Sequence, residues 1–321
     1  MVLEVGPNTG RFLNKLSKDK GQLVQQLKKI NQKYNLENEN DPPLPIPFFG
    51  STEDAEFLGR AKSLGWNIFG IDQEFYSSYV LQNDWMYQNM NKAEKKKMEA
   101  KYYAANDTIN RMYKDKKPFY SILLNSTWIM EYFQQMSQVP MNKEIVDGLI
   151  ESAKIYDLNR QRKWYESNAT RIKLMKHNLR AGIEESNFDI SKDKLLLKIG
   201  GYHASLGFSP LALYEVGNTL NELAEYYGNT ALNIGFMNRY DASEGKIEDA
   251  LDDDNIWIQN HKHFISMGRE KEWVIIDLRP IRPGYYFHPQ RYELNEWEEK
   301  IIQRFDLLII TPTEYQTTNN Y

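Results

Sequence analysis

Five side chains of this sequence are of the types that move protons or steady developing negative charge: Glu4, Asp72, Arg171, Asn178 and His203. Glu4 lies in the β-prone run "VLEVG", Asp72 closes "WNIFGID" with Glu74 two residues on, and His203 follows "LLLKIGG", where a strand gives way to a loop. Carboxylates and imidazoles exchange protons near neutral pH once their surroundings shift their affinities, so two acids and a histidine at one rim of a sheet form an acid–base constellation. In "ATRIKLMKHNLRAGIEE", Ile172, Met175, Leu179 and Ile183 make one apolar stripe, with Arg171, Asn178 and Gly182 along its edge. Arg171 and Asn178, at i and i+7, are fixed donors suited to an oxyanion, and Gly182 lets another backbone come close. Each also has a plainer reading: a hydrogen-bonded structural histidine, an acid capping a helix, an arginine in a surface ion pair.

Other chemistries lack their residues. The chain has no cysteine, which excludes disulfides, thiolate metal sites and a cysteine nucleophile. His261 and His263 of "NHKHF" would share a face as alternate strand residues, but no third ligand accompanies them, and neither a metal nor a cofactor is expected. His177 and His288 stand alone, and the glycine-rich dinucleotide, Walker-type and G-x-S-x-G patterns are missing. A net charge of -4 offers no electrostatic footprint for nucleic acid. Nor does any apolar run approach the roughly 18 residues of a membrane span, and no charged-then-apolar signal-peptide pattern is expected from these residues. With 41% hydrophobic and 26% charged residues, the composition is that of a soluble globular protein whose expected partner is a small-molecule ligand or substrate.

The elements that must position these residues read as α/β. "VLEVG" is a strand, and Phe12, Leu16, Leu23, Leu27 and Ile30 recur at helical spacing as far as Tyr34. "DPPLPIPFFG" is an irregular connection, and Ser51 with Asp54 marks a capped helix start. From about 77 to 187 the pattern is helical, with breaks near Pro118, Pro140 and Asn159; its lysine-rich "NKAEKKKMEAKYY" reads as a solvated face. Alternation then resumes: "LLLKIGG", "ALNIGFM", "EWVIIDLRPI" and "DLLIITP" as strands, "LYEVGNTLNELAEYYG" and "ELNEWEEKIIQRF" as helices. The expectation is a single α/β domain over 1–321, a mostly parallel sheet with helices on both faces and a long helical insertion. In such sheets ligands lie beyond the carboxyl ends of the strands, where Glu4, Asp72 and His203 fall.

Three segments in order, "TRIKLMKHNLRAGIEE", "DKLLLKIGGYHASLG" and "LYEVGNTLNELAEYYGNTALNIGF", resemble the erythromycin esterase family and its relatives in the Tiki-type superfamily. The family's Arg-x-x-x-Met-x-x-Asn helix falls on Arg171, Met175 and Asn178, its strand-ending histidine on His203, its helix glycine on Gly217 and its Ile-Gly strand on Ile234 and Gly235. "VLEVGP" resembles the family's glutamate strand, "WNIFGID" its Gly-x-Asp strand and "FDLLIITPT" its closing strand. The resemblance implies ester or lactone hydrolysis by direct attack of water. In it His203 polarises water or the carbonyl, Glu4 orients an imidazole or water, and Arg171 stabilises the oxyanion. The sequence departs from the family in lacking an upstream Gly-Glu-x-x-His segment, and Gly200 stands where a second histidine of "GGYH" would be. That departure leads to two expectations, a chain lacking its first strand or a relative with lost or altered chemistry. The competing expectation is a non-catalytic member that holds a small molecule or haem in an aromatic-lined pocket, with Tyr202 beside His203.

Overall fold

In the computed structural model, which describes residues 1–34, 44–115, 117–243 and 245–321, β1 (Val2–Leu3) lies between two parallel partners. The chain is mixed α/β and divides into two compact units: Met1–Asp189 with Lys194–Lys198 and Thr318–Tyr321, and Ile190–Asp193 with Ile199–Thr317.

In the first unit, β1 leads into α1 (Pro7–Lys15), α2 (Lys20–Tyr34), α3 (Thr52–Ser63) and β2 (Phe69–Gly70). Pro7 opens α1 at a position where its missing N–H costs nothing. The single helical run expected through Tyr34 is broken at 16–19. There Ser17 Oγ accepts from the Asp19 N–H and Asp19 Oδ1 from the Gln22 N–H, local bonds that compete with helix continuation. Ser51 caps α3, accepting from the Asp54 N–H at 3.0 Å. Of "DPPLPIPFFG", 41–43 lie outside the described residues, and the remainder is irregular.

The helical stretch follows as α4 (Tyr79–Gln88), α5 (Lys92–Lys114), α6 (Phe119–Asn125), α7 (Thr127–Met136), α8 (Pro140–Arg160) and α9 (Trp164–Glu185), before β3 (Leu197–Lys198). The lysine-rich start of α5 is stopped by an Asn91/Glu94 capping box, and the helix buries Met98, Tyr102 and Ala105. One apolar core joins Leu3, Leu13, Leu23, Leu27 and Leu58; a second joins Tyr79, Met86, Tyr132, Phe133 and Leu149 within the helices. The sheet order is β2-β1-β3, Val2 lying opposite both Phe69 and Leu197.

The second unit contains α10 (Val216–Tyr226), β4 (Ile234–Met237), β5 (Tyr240–Ser243), β6 (Lys246–Asp249), α11 (Ile256–Asn260), α12 (Lys262–Ser266), β7 (Val274–Asp277), α13 (Ile281–Phe287), α14 (Glu296–Arg304), β8 (Leu307–Ile310) and β9 (Glu314–Tyr315). β8 pairs parallel with β4 and antiparallel with β7. Met237, Leu308 and Ile310 bury one face of this sheet against Ile301, Ile302 and Phe305. The β5–β6 hairpin, with β9 parallel to β5, forms a further small sheet. "NHKHF" is not a strand: His261 links α11 to α12 and His263 lies on α12, its Nδ1 2.8 Å from buried Glu298. Among the described residues no helix is long and apolar enough to cross a membrane.

Candidate functional site

The parallel register of β1 and β2 sends both chains out of the sheet side by side. The Ile71 N–H donates to the Leu3 carbonyl and the Asp72 N–H to the Val5 carbonyl at 2.9 Å, so Glu4 and Asp72 emerge as neighbours. Close approach is possible because Gly70 has no side chain: a Cβ there would stand 2.3 Å from the Gly6 oxygen. Gly10 does the same for α1, where a Cβ would stand 2.1 Å from the Gly70 nitrogen.

Helix α9 supplies the cation. It buries Ile172, Met175 and Leu179, and Gly182 lies against the Phe69 ring, 2.3 Å from where its own Cβ would be. The neighbour of Gly182 is thus a side chain of β2 rather than the backbone the sequence suggests. This docking holds Arg171 over the strand ends, where Nε donates to Asp72 Oδ1 at 2.8 Å and Nη2 to Asp72 Oδ2 at 2.5 Å and Glu4 Oε1 at 2.9 Å. Burial opposes the guanidinium charge, but the hydrogen bonds and charge of Asp72, with the charge of Glu4, outweigh it and raise the Arg171 pKa. Asp72 Oδ1 accepts a further bond, from the Gln73 N–H at 2.8 Å. Asp72 is therefore an orienting group, committed through both oxygens. Among the described residues Arg171 Nη1 has no protein partner.

Asn178, whose spacing suggests an anion donor, is engaged with backbone. Its Nδ2 donates to the Ile71 carbonyl at 2.9 Å and so braces the end of β2. Glu74 turns the other way and is fully buried at the start of α1, accepting from the Asn8 N–H and Thr9 Oγ1, each at 2.7 Å, and from Gln82 Nε2 at 2.5 Å. It caps the helix from a distant part of the chain.

Arg171, Glu4 and Asp72 line a cavity of about 300 Å³ with Tyr156, Phe48 and Asn168. The Tyr156 hydroxyl is pushed up, first by burial and then by the charge of Asp72, against a hydrogen bond from Gln73. It therefore keeps its proton and is a donor beside Arg171. Neither Tyr156 nor Phe48 carries a sequence signal, being two of 35 tyrosines and phenylalanines.

His203 belongs to the second unit, where it is buried with Nδ1 3.0 Å from Glu215 Oε2. Glu215 is fully buried and accepts from Ser209 Oγ at 2.8 Å through its other oxygen. A carboxylate at Nδ1 fixes the orientation of the ring. The backbone reinforces this pairing: the Gly217 N–H donates to the His203 carbonyl at 2.9 Å, and a Cβ on Gly217 would stand 2.4 Å from the Ala204 oxygen. Glu215, the N-cap residue of α10, is absent from the sequence-derived set; an acid just before "VGNTL" was its only signal. Among the described residues no group of three or more His, Asp and Glu could hold a metal ion.

No family model matches the chain, and no curated protein matches it. A crystal structure of a protein from Bacillus cereus is similar, at 14% identity and a TM-score of 0.46, over 99% of this chain and 81% of that one.

Proposed function

We propose that the protein hydrolyses an ester or lactone by direct attack of water, with the cavity around Arg171 receiving the carbonyl. The observation that supports this reading is the pairing of Arg171 with Glu4 and Asp72, which fixes the guanidinium by two carboxylates and leaves Nη1 for a ligand. Water oxygen bonds to the carbonyl carbon, and the oxyanion is met by Arg171 Nη1 and the Tyr156 hydroxyl. Glu4 orients the water. The tetrahedral adduct then breaks its bond to the alkoxy oxygen, which takes a proton originating from water. The finer architecture, a mostly parallel sheet with helices on both faces, belongs to the same proposal.

Turnover of p-nitrophenyl butyrate and δ-valerolactone tests it. A fixed oxyanion donor is worth about a hundredfold or more in rate, so Arg171→Ala should lose at least that much kcat. Product acid formed in heavy-oxygen water should carry one label without a pre-steady-state burst. Unchanged turnover in Arg171→Ala removes the guanidinium from the mechanism, and a burst replaces direct attack with a covalent intermediate.

A further inference from the structure

Phe48 has a backbone that its residue type disfavours. Its φ is 67°, in the left-handed region that a bulky side chain seldom enters without a reason. The surrounding segment holds it there. Ile46 and Phe49 are buried on either side, Ser78 Oγ donates to the Pro45 carbonyl at 2.6 Å and Asn31 Nδ2 to the Phe49 carbonyl at 2.9 Å. Further out, Ser77 Oγ donates to the Leu44 carbonyl, and the Asn320 N–H donates to the Gly50 carbonyl at 2.7 Å. What this strain secures is not burial, since Phe48 is 54% exposed; the ring lines the Arg171 cavity. Lys198 Nζ, fixed by Asp54 at 3.0 Å, lies 6.0 Å from the ring centre.

The rest of the lining restricts what can lie on that ring. The Arg171 guanidinium is already paired with the carboxylates of Glu4 and Asp72, so it offers no uncompensated positive charge to an anionic ligand. Asn159 and Asn168 line it with side-chain amides that have no hydrogen-bond partner among the described residues, each a donor and an acceptor for hydroxyl groups. At about 300 Å³ the space is at the small end of ligand pockets and suits one ring rather than a macrocycle. We infer that the cavity takes a single uncharged, polyhydroxylated ring, a sugar lactone, with its C–H face on Phe48 and its hydroxyls on Asn159 and Asn168. The lactone bond rests on the hydrolytic reading above; the ring and its hydroxyls rest on the lining alone.

Three probes separate the two: glucono-δ-lactone, δ-valerolactone, which is the same ring without its hydroxyl and hydroxymethyl groups, and anhydroglucitol, the sugar ring without the ester. Hydrolysis is measured above the spontaneous rate, and binding by calorimetry. The inference expects a KM for gluconolactone about tenfold or more below that for valerolactone, and competitive inhibition by anhydroglucitol. Phe48→Ala should raise the gluconolactone KM by about tenfold, the scale of one aromatic contact, with a much smaller change in kcat, and Phe48→Trp should restore it. Equal KM values for the two lactones with no inhibition by anhydroglucitol would overturn the sugar class and leave hydrolysis standing. Saturable anhydroglucitol binding, weakened in Phe48→Ala and restored in Phe48→Trp, with neither lactone turned over, would uphold the ring site and overturn hydrolysis. Absence of both binding and turnover overturns both.

Discussion

Arg171 and Asp72, 99 residues apart in sequence, meet through two parallel hydrogen bonds, Nε to Oδ1 at 2.8 Å and Nη2 to Oδ2 at 2.5 Å. Both side chains are largely buried, and Nη2 also reaches Glu4. Removing the cation alone breaks its charge-assisted bonds to both carboxylates, which costs about 3–5 kcal/mol in comparable buried sites. Arg171→Met should therefore lose about 3 kcal/mol in urea unfolding, and Arg171→Met with Asp72→Asn should lose less than the sum of the two single changes. Strict additivity would mean that the pair is not coupled.

The glycine at the end of β2 sets the distance between the two acids. A methyl group on Gly70 would stand 2.3–2.4 Å from the carbonyl oxygens of Gly6 and Val5, and backbone cannot swing aside as a flexible side chain can. Gly70→Ala should destabilise by about 2–3 kcal/mol, the scale of an overpacked interior. Because Asp72 lies two residues on, turnover should fall by more than the loss of folded protein explains. A variant as stable as the parent would mean that β2 retreats without penalty.

The strand ends carrying Glu4 and Asp72, and the apolar stripe that aims α9 at them, were legible because runs such as "WNIFGID" and the spacing of Ile172, Met175 and Leu179 follow from burial. What Asn178 does was not, since periodicity gives a residue's face but not which carbonyl it meets; here that is Ile71. The β5–β6 hairpin was missed for a similar reason. "YDAS" and "KIED" are largely polar, so no alternation marks a buried face, and only Gly245, at a φ of 78°, betrays a turn. "NHKHF" fits period two although its segment is helical, because in so short a run the two periods are hard to tell apart. Phe48 had no readable signal, because composition predicts glycine, asparagine or aspartate at a left-handed position.

Burial raises the pKa of Glu74, outweighing the hydrogen bonds from Thr9, Asn8 and Gln82. A carboxyl group whose folded pKa lies above its unfolded value stabilises fully below the ordinary value of about 4.3 and loses that contribution as the pH rises through the folded value. Glu74→Gln keeps the size and removes the titration. Its unfolding free energy, subtracted from that of the parent, should isolate a term that favours the parent at pH 4 and declines towards pH 8. A difference that grows with pH would show that the donors at the start of α1 prevail and that the carboxylate is the stable form.

At Phe48 two costs can be separated by two substitutions. Alanine removes the half-exposed ring but keeps a Cβ at a φ of 67°, whereas glycine removes both. An L-residue in the left-handed region costs roughly 1–2 kcal/mol, and glycine gives back part of that through its freer unfolded chain. Phe48→Gly should therefore be more stable than Phe48→Ala by about 1 kcal/mol, which for a protein of this length raises the melting temperature by about 1–2 °C. If the ring is a ligand platform, the glycine variant gains stability while losing the affinity that Phe48→Trp retains. Equal melting temperatures for the alanine and glycine variants would show that the segment relaxes on losing the ring, so that the left-handed backbone is imposed by the aromatic side chain and not by Ile46, Phe49 and the bonds that pin them.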